Sequence, residues 1–269
     1  YFSSNFKLGI LGGGQLGKML LYNTRKFDIH TCVIDPSAQA PSKLACNEFF
    51  EGDLMDYDTV YNFGKKVDTL TFEIENVNIE ALKALEKEGT NVYPSSKTLE
   101  KIQNKATQKL FYIDHNLPTA PFQRFAYTEE IYTAIEHSSI EFPFVWKSAQ
   151  FGYDGKGQRH VSSEAELEAA INDLNREICV LERLMPLSCE ISVIVARGSD
   201  GELTSFPVSE NRHVNGILDI SIVPARISGE LAQQANDIAT QVAEKLNYQG
   251  VLCVEFFVLE DGQLLINEI

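Results

Sequence analysis

The chain has 269 residues, 44% hydrophobic and 23% charged, ordinary values for a globular protein long enough to hold two or three subdomains with their own cores. Its formal net charge of −15 argues against general nucleic-acid binding, and a site for phosphates would have to gather its own lysines, arginines or metal. No apolar run approaches the roughly 20 residues needed to cross a bilayer, and five cysteines without CxxC spacing fit a reduced, cytoplasmic setting.

In chain order, Lys7-Leu8-Gly9-Ile10-Leu11 reads as a buried strand, followed at once by Gly12-Gly13-Gly14-Gln15-Leu16-Gly17, after which Met19, Leu20 and Leu21 begin a helix. Strand, glycine turn and helix N-terminus make an anion site, because free helical N–H groups and the helix dipole point at the ligand. A second strand, Thr31 to Ile34, ends in Asp35-Pro36, where a dinucleotide fold places its ribose acid, about 20 residues on. Alone, this predicts a nicotinamide-dependent oxidoreductase. The GxGxxG pattern serves many doubly wound folds, however, and the same turn would hold a phosphate monoester equally well. Another strand, Asp68 to Phe72, ends in Glu73-Ile74-Glu75-Asn76. Ligands of parallel sheets bind beyond the strands' carboxyl ends, so Glu73, Glu75 and Asn76 are candidate contacts; the alternative is a solvated loop capping a helix over Ile79 to Lys87.

Leu99, Ile102, Ala106, Leu110 and Ile113 recur at helical spacing and predict one amphipathic helix from Lys97 to His115. Lys101, Lys105 and Lys109 recur four apart on its polar face, either as a solvated stripe or beside an anion. Next, Phe144-Val145-Trp146-Lys147 is an apolar strand ending in lysine. It runs into Gly152-Tyr153-Asp154-Gly155-Lys156-Gly157, which is either a glycine turn of a hairpin or a lid whose N–H groups and lysines cover phosphate oxygens. The strand Cys179 to Leu181 leads to Glu182-Arg183-Leu184-Met185-Pro186, a hinge whose backbone is placed to read a planar base.

In the last segment, Val251 to Leu259 and Leu264 to Glu268 are strands joined through Asp261-Gly262, the preferred two-residue hairpin turn. Counting from that turn sets Glu255 directly across from Glu268, with Cβ atoms about 5 Å apart. Two carboxylates there imply a raised pKa, a slipped register, or a divalent cation held by oxygen ligands, with Asn267 a further donor. The cation is the favoured reading.

Several strings together resemble the ATP-grasp superfamily, and within it the 5-(carboxyamino)imidazole ribonucleotide synthetase family of purine biosynthesis. They are Gly-Gly-Gly-Gln-Leu-Gly-Lys-Met at 12–19, Phe-Glu-Ile-Glu-Asn-Val at 72–77, Asn-Leu-Pro-Thr-Ala-Pro at 116–121, Gly-Tyr-Asp-Gly-Lys-Gly-Gln at 152–158 and Glu-Asn-Arg-His at 210–213. The resemblance implies an α/β chain: a doubly wound parallel sheet over 1–97, then an α+β ATP-grasp part with a small, lid-bearing subdomain over 98–181 and a large one over 182–269. It implies that Lys105 and Lys147 hold ATP phosphates under a lid of Gly152, Tyr153, Gly155, Lys156 and Gly157. Glu182 and Leu184 would read adenine, Glu190 the ribose, and Glu255, Glu268 and Asn267 would hold Mg²⁺. Gly13, Gln15, Leu16, Glu73 and Asn76 would seat aminoimidazole ribonucleotide, with Tyr153 and Asp154 between the ligands and Arg212 and His213 near bicarbonate. The family continues past Ile269 into a small third domain, so the expectation for this chain is weakened ATP binding or turnover.

The implied reaction is ATP- and bicarbonate-dependent carboxylation of the ribonucleotide's amine through carboxyphosphate, in a cytoplasmic homodimer. Lys147, Asp154, Arg212 and His213 are the implied catalytic residues. Neither nucleic acid nor membrane is an expected partner. The alternatives are a formate-dependent glycinamide ribonucleotide transformylase, which usually carries an acid where Gln15 stands, the oxidoreductase above, and a bare nucleotide-binding module.

Overall fold

Short apolar strands alternating with helices dominate the first hundred residues, while hairpins dominate the last eighty, and the computed structural model builds a different sheet from each. It describes residues 5–150, 157–173, 178–214 and 216–269; Gly152, Tyr153, Asp154, Gly155 and Lys156 lie outside the described residues. The chain divides into two units, Tyr1–Gln103 and Asn104–Ile269.

In the first unit, β1 (Lys7–Leu11), β2 (His30–Asp35), β3 (Glu48–Glu51), β4 (Thr69–Phe72) and β5 (Asn91–Val92) form a parallel sheet in the order β3-β2-β1-β4-β5. The helices are α1 (Gln15–Thr24), α2 (Tyr57–Gly64), α3 (Ile79–Lys87) and α4 (Ser96–Ile102). Ile10, Leu11, Cys32, Val33 and Leu70 are fully buried, as a parallel sheet covered on both faces requires. Asp56, Asn78 and Ser95 cap α2, α3 and α4 by accepting from the N–H three residues on, each worth about 1 kcal/mol. The strand order reverses between β1 and β4, and the crevice beyond their carboxyl ends is where such sheets take ligands.

The second unit begins with α5 (Lys105–Asp114) and holds two antiparallel sheets. One comprises β6 (Phe122–Phe125), β7 (Phe144–Ser148), β8 (Gln158–Val161) and β9 (Cys179–Arg183) in the order β6-β9-β7-β8, with α6 (Thr128–Glu136) and α7 (Glu164–Asp173). Alternation sorts its faces: Phe125, Phe144, Trp146, Val161, Cys179 and Leu181 pack with Ile131, Leu167 and Ala170 of the helices. Lys147, Gln158, His160 and Glu182 therefore share the other face. The second sheet comprises β10 (Leu187–Arg197), β11 (Leu203–Ser205), β12 (Ser209–Val214), β13 (Ile217–Ile222), β14 (Gly250–Leu259) and β15 (Leu264–Ile266) in the order β13-β12-β10-β14-β15, with β11 beside β10. Helix α8 (Gly229–Lys245) packs against β10 and β14. Ile191, Val193, Val254 and Phe256 are buried at 1% exposure or less, which leaves the alternate positions Glu190, Ser192, Glu255 and Phe257 on the opposite face.

Two expectations need correction. The helix predicted from Lys97 to His115 is two helices. Asn104 adopts an extended backbone and its side chain accepts the Thr107 N–H at 3.0 Å, a cap that starts α5 afresh, while Gln103 turns back to donate to the carbonyl of Val77 at 2.9 Å. The lysine stripe is therefore broken: Lys101 ends one helix, Lys105 opens the next, and Lys109 is buried.

The last hairpin does not turn on two residues. The Leu259 N–H donates to Gln263 O and the Gly262 N–H to Leu259 O, with Gly262 at φ +86°. This is a three-residue loop with a left-handed glycine. Its register pairs Phe256 with Ile266, one residue off the predicted count. Beyond that pair Glu255 faces two residues, donating from its N–H to Glu268 O and accepting at its own O from the Asn267 N–H. That bulge restores the closeness of the two acids that the slipped register would have lost.

Candidate active site

In the first unit the glycine turn sits at the reversal of strand order. Gly12 has φ +94°, and a Cβ there would lie 2.7 Å from a Glu73 carboxylate oxygen; at Gly14 it would lie 2.6 Å away. Only glycine lets Glu73 fold over the turn. Glu73 accepts from the Gly14 N–H at 3.2 Å, and Asp35 accepts from the Gly13 N–H at 2.8 Å and from Ser37 at 2.8 Å. Asp35, the residue a dinucleotide fold would turn toward a ribose, is thus committed to bracing the turn. Gln15 and Leu16 open α1, where first-turn N–H groups have no intrahelical partner, and Leu16 is 65% exposed. Asn76 lies in the loop after β4, between β4 and the Asn78 cap of α3.

In the second unit a cavity of about 530 Å³ opens between the polar faces of the two sheets. It gathers Lys147, Gln158 and His160 from one side, Glu190, His213, Glu255 and Phe257 from the other, the hinge residues Glu182, Leu184 and Met185, and Lys105, Asn267 and Glu268. Of the residues expected around a nucleotide and its metal, Lys105, Lys147, Glu182, Leu184, Glu190, Glu255, Asn267 and Glu268 are brought together here, with His213, expected near bicarbonate, among them. Gly157 is described at the mouth of β8, its carbonyl accepting the Ser148 N–H at 2.7 Å.

The charges are paired with one another. Lys147 donates to Asn267 Oδ1 at 2.9 Å and to Glu182 Oε2 at 3.2 Å. Glu182, only 2% exposed, has the Lys109 ammonium 3.2 Å from its other oxygen as an ion pair, with no hydrogen bond to that oxygen. Lys105 is ion-paired with Glu268. Burial works to raise the Glu182 carboxyl, but Lys147 and Lys109 hold it below the usual carboxylate range. Glu268 follows the same logic, burial being overcome by Lys105. Glu255 goes the other way: burial, then the neighbouring Glu268, push its carboxyl up. Asn267 turns its amide nitrogen toward Glu255, 3.5 Å from Oε2, while its oxygen accepts from Lys147; the oxygens of the two neighbouring acids, one of them incompletely compensated, suit a hard divalent cation.

His213 Nδ1 lies 3.2 Å from Glu190 Oε1. Arg212 does not join them. A bulge separates it from His213, and its guanidinium lies 3.8 Å from Glu210, outside the cavity lining. Glu210 is held down to about 2 by hydrogen bonds from Arg226. Sequence reasoning missed Gln158 and His160, although alternation outward from Lys147 places both on its face. It read Lys109 only as part of a stripe; nothing local tells that it is buried.

An N-terminal parallel sheet with a glycine turn, followed by two antiparallel sheets clasping a lysine- and acid-lined cavity, defines an ATP-grasp enzyme. A model of the ATP-grasp domain matches residues 110–269, and one of the ribonucleotide synthetase preATP-grasp domain matches residues 6–103. The N5-carboxyaminoimidazole ribonucleotide synthase of Bacillus subtilis is 36% identical over 97% of this chain and 68% of its own length. The Staphylococcus aureus enzyme in complex with ADP superposes with a TM-score of 0.91 at 32% identity, covering 98% of this chain and 69% of that one. The Aspergillus clavatus enzyme with ADP and 5-aminoimidazole ribonucleotide superposes with a TM-score of 0.90 at 28% identity, covering 99% and 70%. The chain belongs to the N5-carboxyaminoimidazole ribonucleotide synthase family.

Proposed function

We propose that the chain carboxylates the exocyclic amine of 5-aminoimidazole ribonucleotide at the expense of ATP. Bicarbonate oxygen attacks the γ-phosphorus and ADP leaves, giving carboxyphosphate. The amine nitrogen then takes the carboxyl carbon, phosphate leaves, and the amine loses a proton. The observation that carries this reading is the cavity's charge arrangement: Lys105 and Lys147 converge where an anion must approach an anion, and electrostatic screening is the main barrier-lowering device of phosphoryl transfer.

In this reading Lys105 and Lys147 bind phosphate oxygens, the hinge at Glu182 and Leu184 faces the adenine edge, and Glu190, with His213 Nδ1 3.2 Å away, meets the ribose. Gly13, Gln15, Leu16, Glu73 and Asn76 hold the ribonucleotide. Lid roles for Gly152, Tyr153, Asp154, Gly155 and Lys156, and a bicarbonate role for Arg212 and His213, rest on the family resemblance alone. Glu255, Glu268 and Asn267 are the residues that would hold Mg²⁺, whose chemistry there is to neutralise charge on the transferring phosphate. Placement in the cytoplasm accords with five cysteines that have no disulfide partner; a homodimer rests on family resemblance and is checked by light scattering.

The deciding measurement is initial-rate ADP release with MgATP. The expected result is stimulation that needs both the ribonucleotide and bicarbonate, and that formate does not replace. Stimulation by formate instead would favour a transformylase. Thermal stabilisation by NAD(H) but not by MgATP would sink the ATP reading altogether.

A further inference from the structure

Lys109 is the most deeply buried cation among the described residues, at 2% exposure, and it does not line the cavity. Its ammonium lies 3.2 Å from Glu182 Oε1 and donates to Thr119 Oγ1 at 2.7 Å; Thr119 in turn donates to the Ile266 carbonyl at 3.0 Å. It also lies 5.9 Å from the centroid of the Tyr112 ring. One side chain therefore ties α5 to β9 and to the end of β15, the strand that presents Asn267 and Glu268.

The division of Glu182 is the telling feature. Lys109 faces one oxygen from behind as an ion pair without a hydrogen bond, while Lys147 hydrogen-bonds the other from the cavity side. If Lys147 were the sole partner of Glu182, drawing it onto an incoming phosphate would strand a buried carboxylate, and such stranding is among the costliest single events in a protein interior. With Lys109 in place, Glu182 stays compensated whichever way Lys147 turns.

We propose that Lys109 is a positioning residue for ATP: by keeping Glu182 paired from behind, it releases Lys147 from Glu182 to the phosphate oxygens. This rests on the ATP reading of the cavity, and it assigns Lys109 no contact with substrate. The groups facing its ammonium are Glu182 on β9, Lys147 on β7, Glu268 beyond β15, and Tyr112 on its own helix. Burial pulls the Lys109 ammonium down to about 8, against the attraction of Glu182, so the device weakens at alkaline pH.

The test is the MgATP dissociation constant, measured by titration calorimetry on the chain as it stands. Lys109→Met should weaken binding at least about tenfold, and Lys109→Arg should stay within about threefold of wild type. Glu182→Gln weakens binding by itself, since Glu182 meets the ligand. The double variant Lys109→Met with Glu182→Gln should then be no weaker than Glu182→Gln alone, because without the carboxylate there is nothing for Lys147 to abandon. Independent, multiplying losses would mean that Lys109 matters only for packing, and wild-type affinity in Lys109→Met would equally overturn the proposal. Should Lys109→Met not fold, the pH profile decides. Wild-type affinity should fall between about pH 7 and about pH 9.5 while Lys109→Arg holds, since arginine keeps its proton there; the same fall in both overturns the idea. Absence of MgATP binding by the wild type defeats the ATP reading and this proposal together. MgATP binding with the predicted coupling but without ribonucleotide-dependent turnover defeats only the carboxylation reading.

Discussion

The glycine turn of the first unit and the charge cluster of the second prepare for anions in opposite ways. The turn offers backbone N–H groups, and two nearby carboxylates, Asp35 and Glu73, satisfy those of Gly13 and Gly14. The cavity offers ammonium groups, held by Glu182, Glu268 and Asn267. In both, protein groups pair the donors that the proposed function assigns to ligands. The difference lies in what must move. A backbone turn stays where it is, and on the proposed reading an anion would add to the free N–H donors at the start of α1. In the cavity, on the proposed reading, Lys147 and Lys105 would exchange a protein acid for a phosphate.

The comparison breaks most visibly at Lys147. Lys147→Met leaves Glu182 paired with Lys109 and removes the mobile cation, and kcat/KM for ATP should fall by roughly 10³-fold, the scale seen when one preorganised transition-state partner is lost. ADP release assays measure it. A loss below about tenfold would mean that the cavity does not work by exchanging partners.

Glu255 comes next. Its carboxyl is raised by burial and then by Glu268. A raised acid contributes stability that is present below the ordinary carboxylate pKa, about 4.3, and is lost as pH rises through its folded value. At neutral pH the metal-free fold therefore carries a penalty that a bound cation would relieve. Glu255→Gln should lower Mg²⁺-dependent turnover by about 10²-fold while stabilising the metal-free chain by roughly 1 kcal/mol near pH 7, the usual exchange at a functional site. A falling melting temperature in the metal-free variant would show that Glu255 is structural instead.

This contrast also explains what the sequence made legible. The turn is local: Gly12 to Gly17 follow one strand directly, and the acid that folds over them ends another, so strand-end reasoning found Glu73. The cluster is not local. Lys105 and Glu268 are 163 positions apart, and their pairing exists only once α5 and β15 share one unit. The closeness of Glu255 and Glu268 was read correctly for the wrong reason, because the three-residue loop at Gly262 shifted the ladder and the bulge at Asn267 shifted it back. The break at Asn104 escaped because the apolar spacing runs straight through it; only the side chain's capping bond reveals a new helix. Faces were easier than partners: alternation in Phe144-Val145-Trp146-Lys147 predicts which side chains look outward, though not what they meet.

The smallest effect separates the two units most cleanly. Glu73 is held against the turn by the Gly14 N–H at 3.2 Å, a long and bent-prone contact that a ligand hydroxyl or amine could share with the carboxylate. Glu73→Ala removes the acid without touching any ammonium of the cavity. The expected result is a rise of about tenfold in KM for the ribonucleotide, the scale of one charge-assisted hydrogen bond, with kcat and KM for ATP moving less than about twofold. Glu73→Gln keeps an acceptor for the Gly14 N–H and loses only the charge, so it should recover part of that rise if the brace matters and none of it if the charge alone does. A matching rise in KM for ATP in Glu73→Ala would mean that the turn and the cavity do not bind their ligands independently, and the division of labour drawn from their geometry would fail.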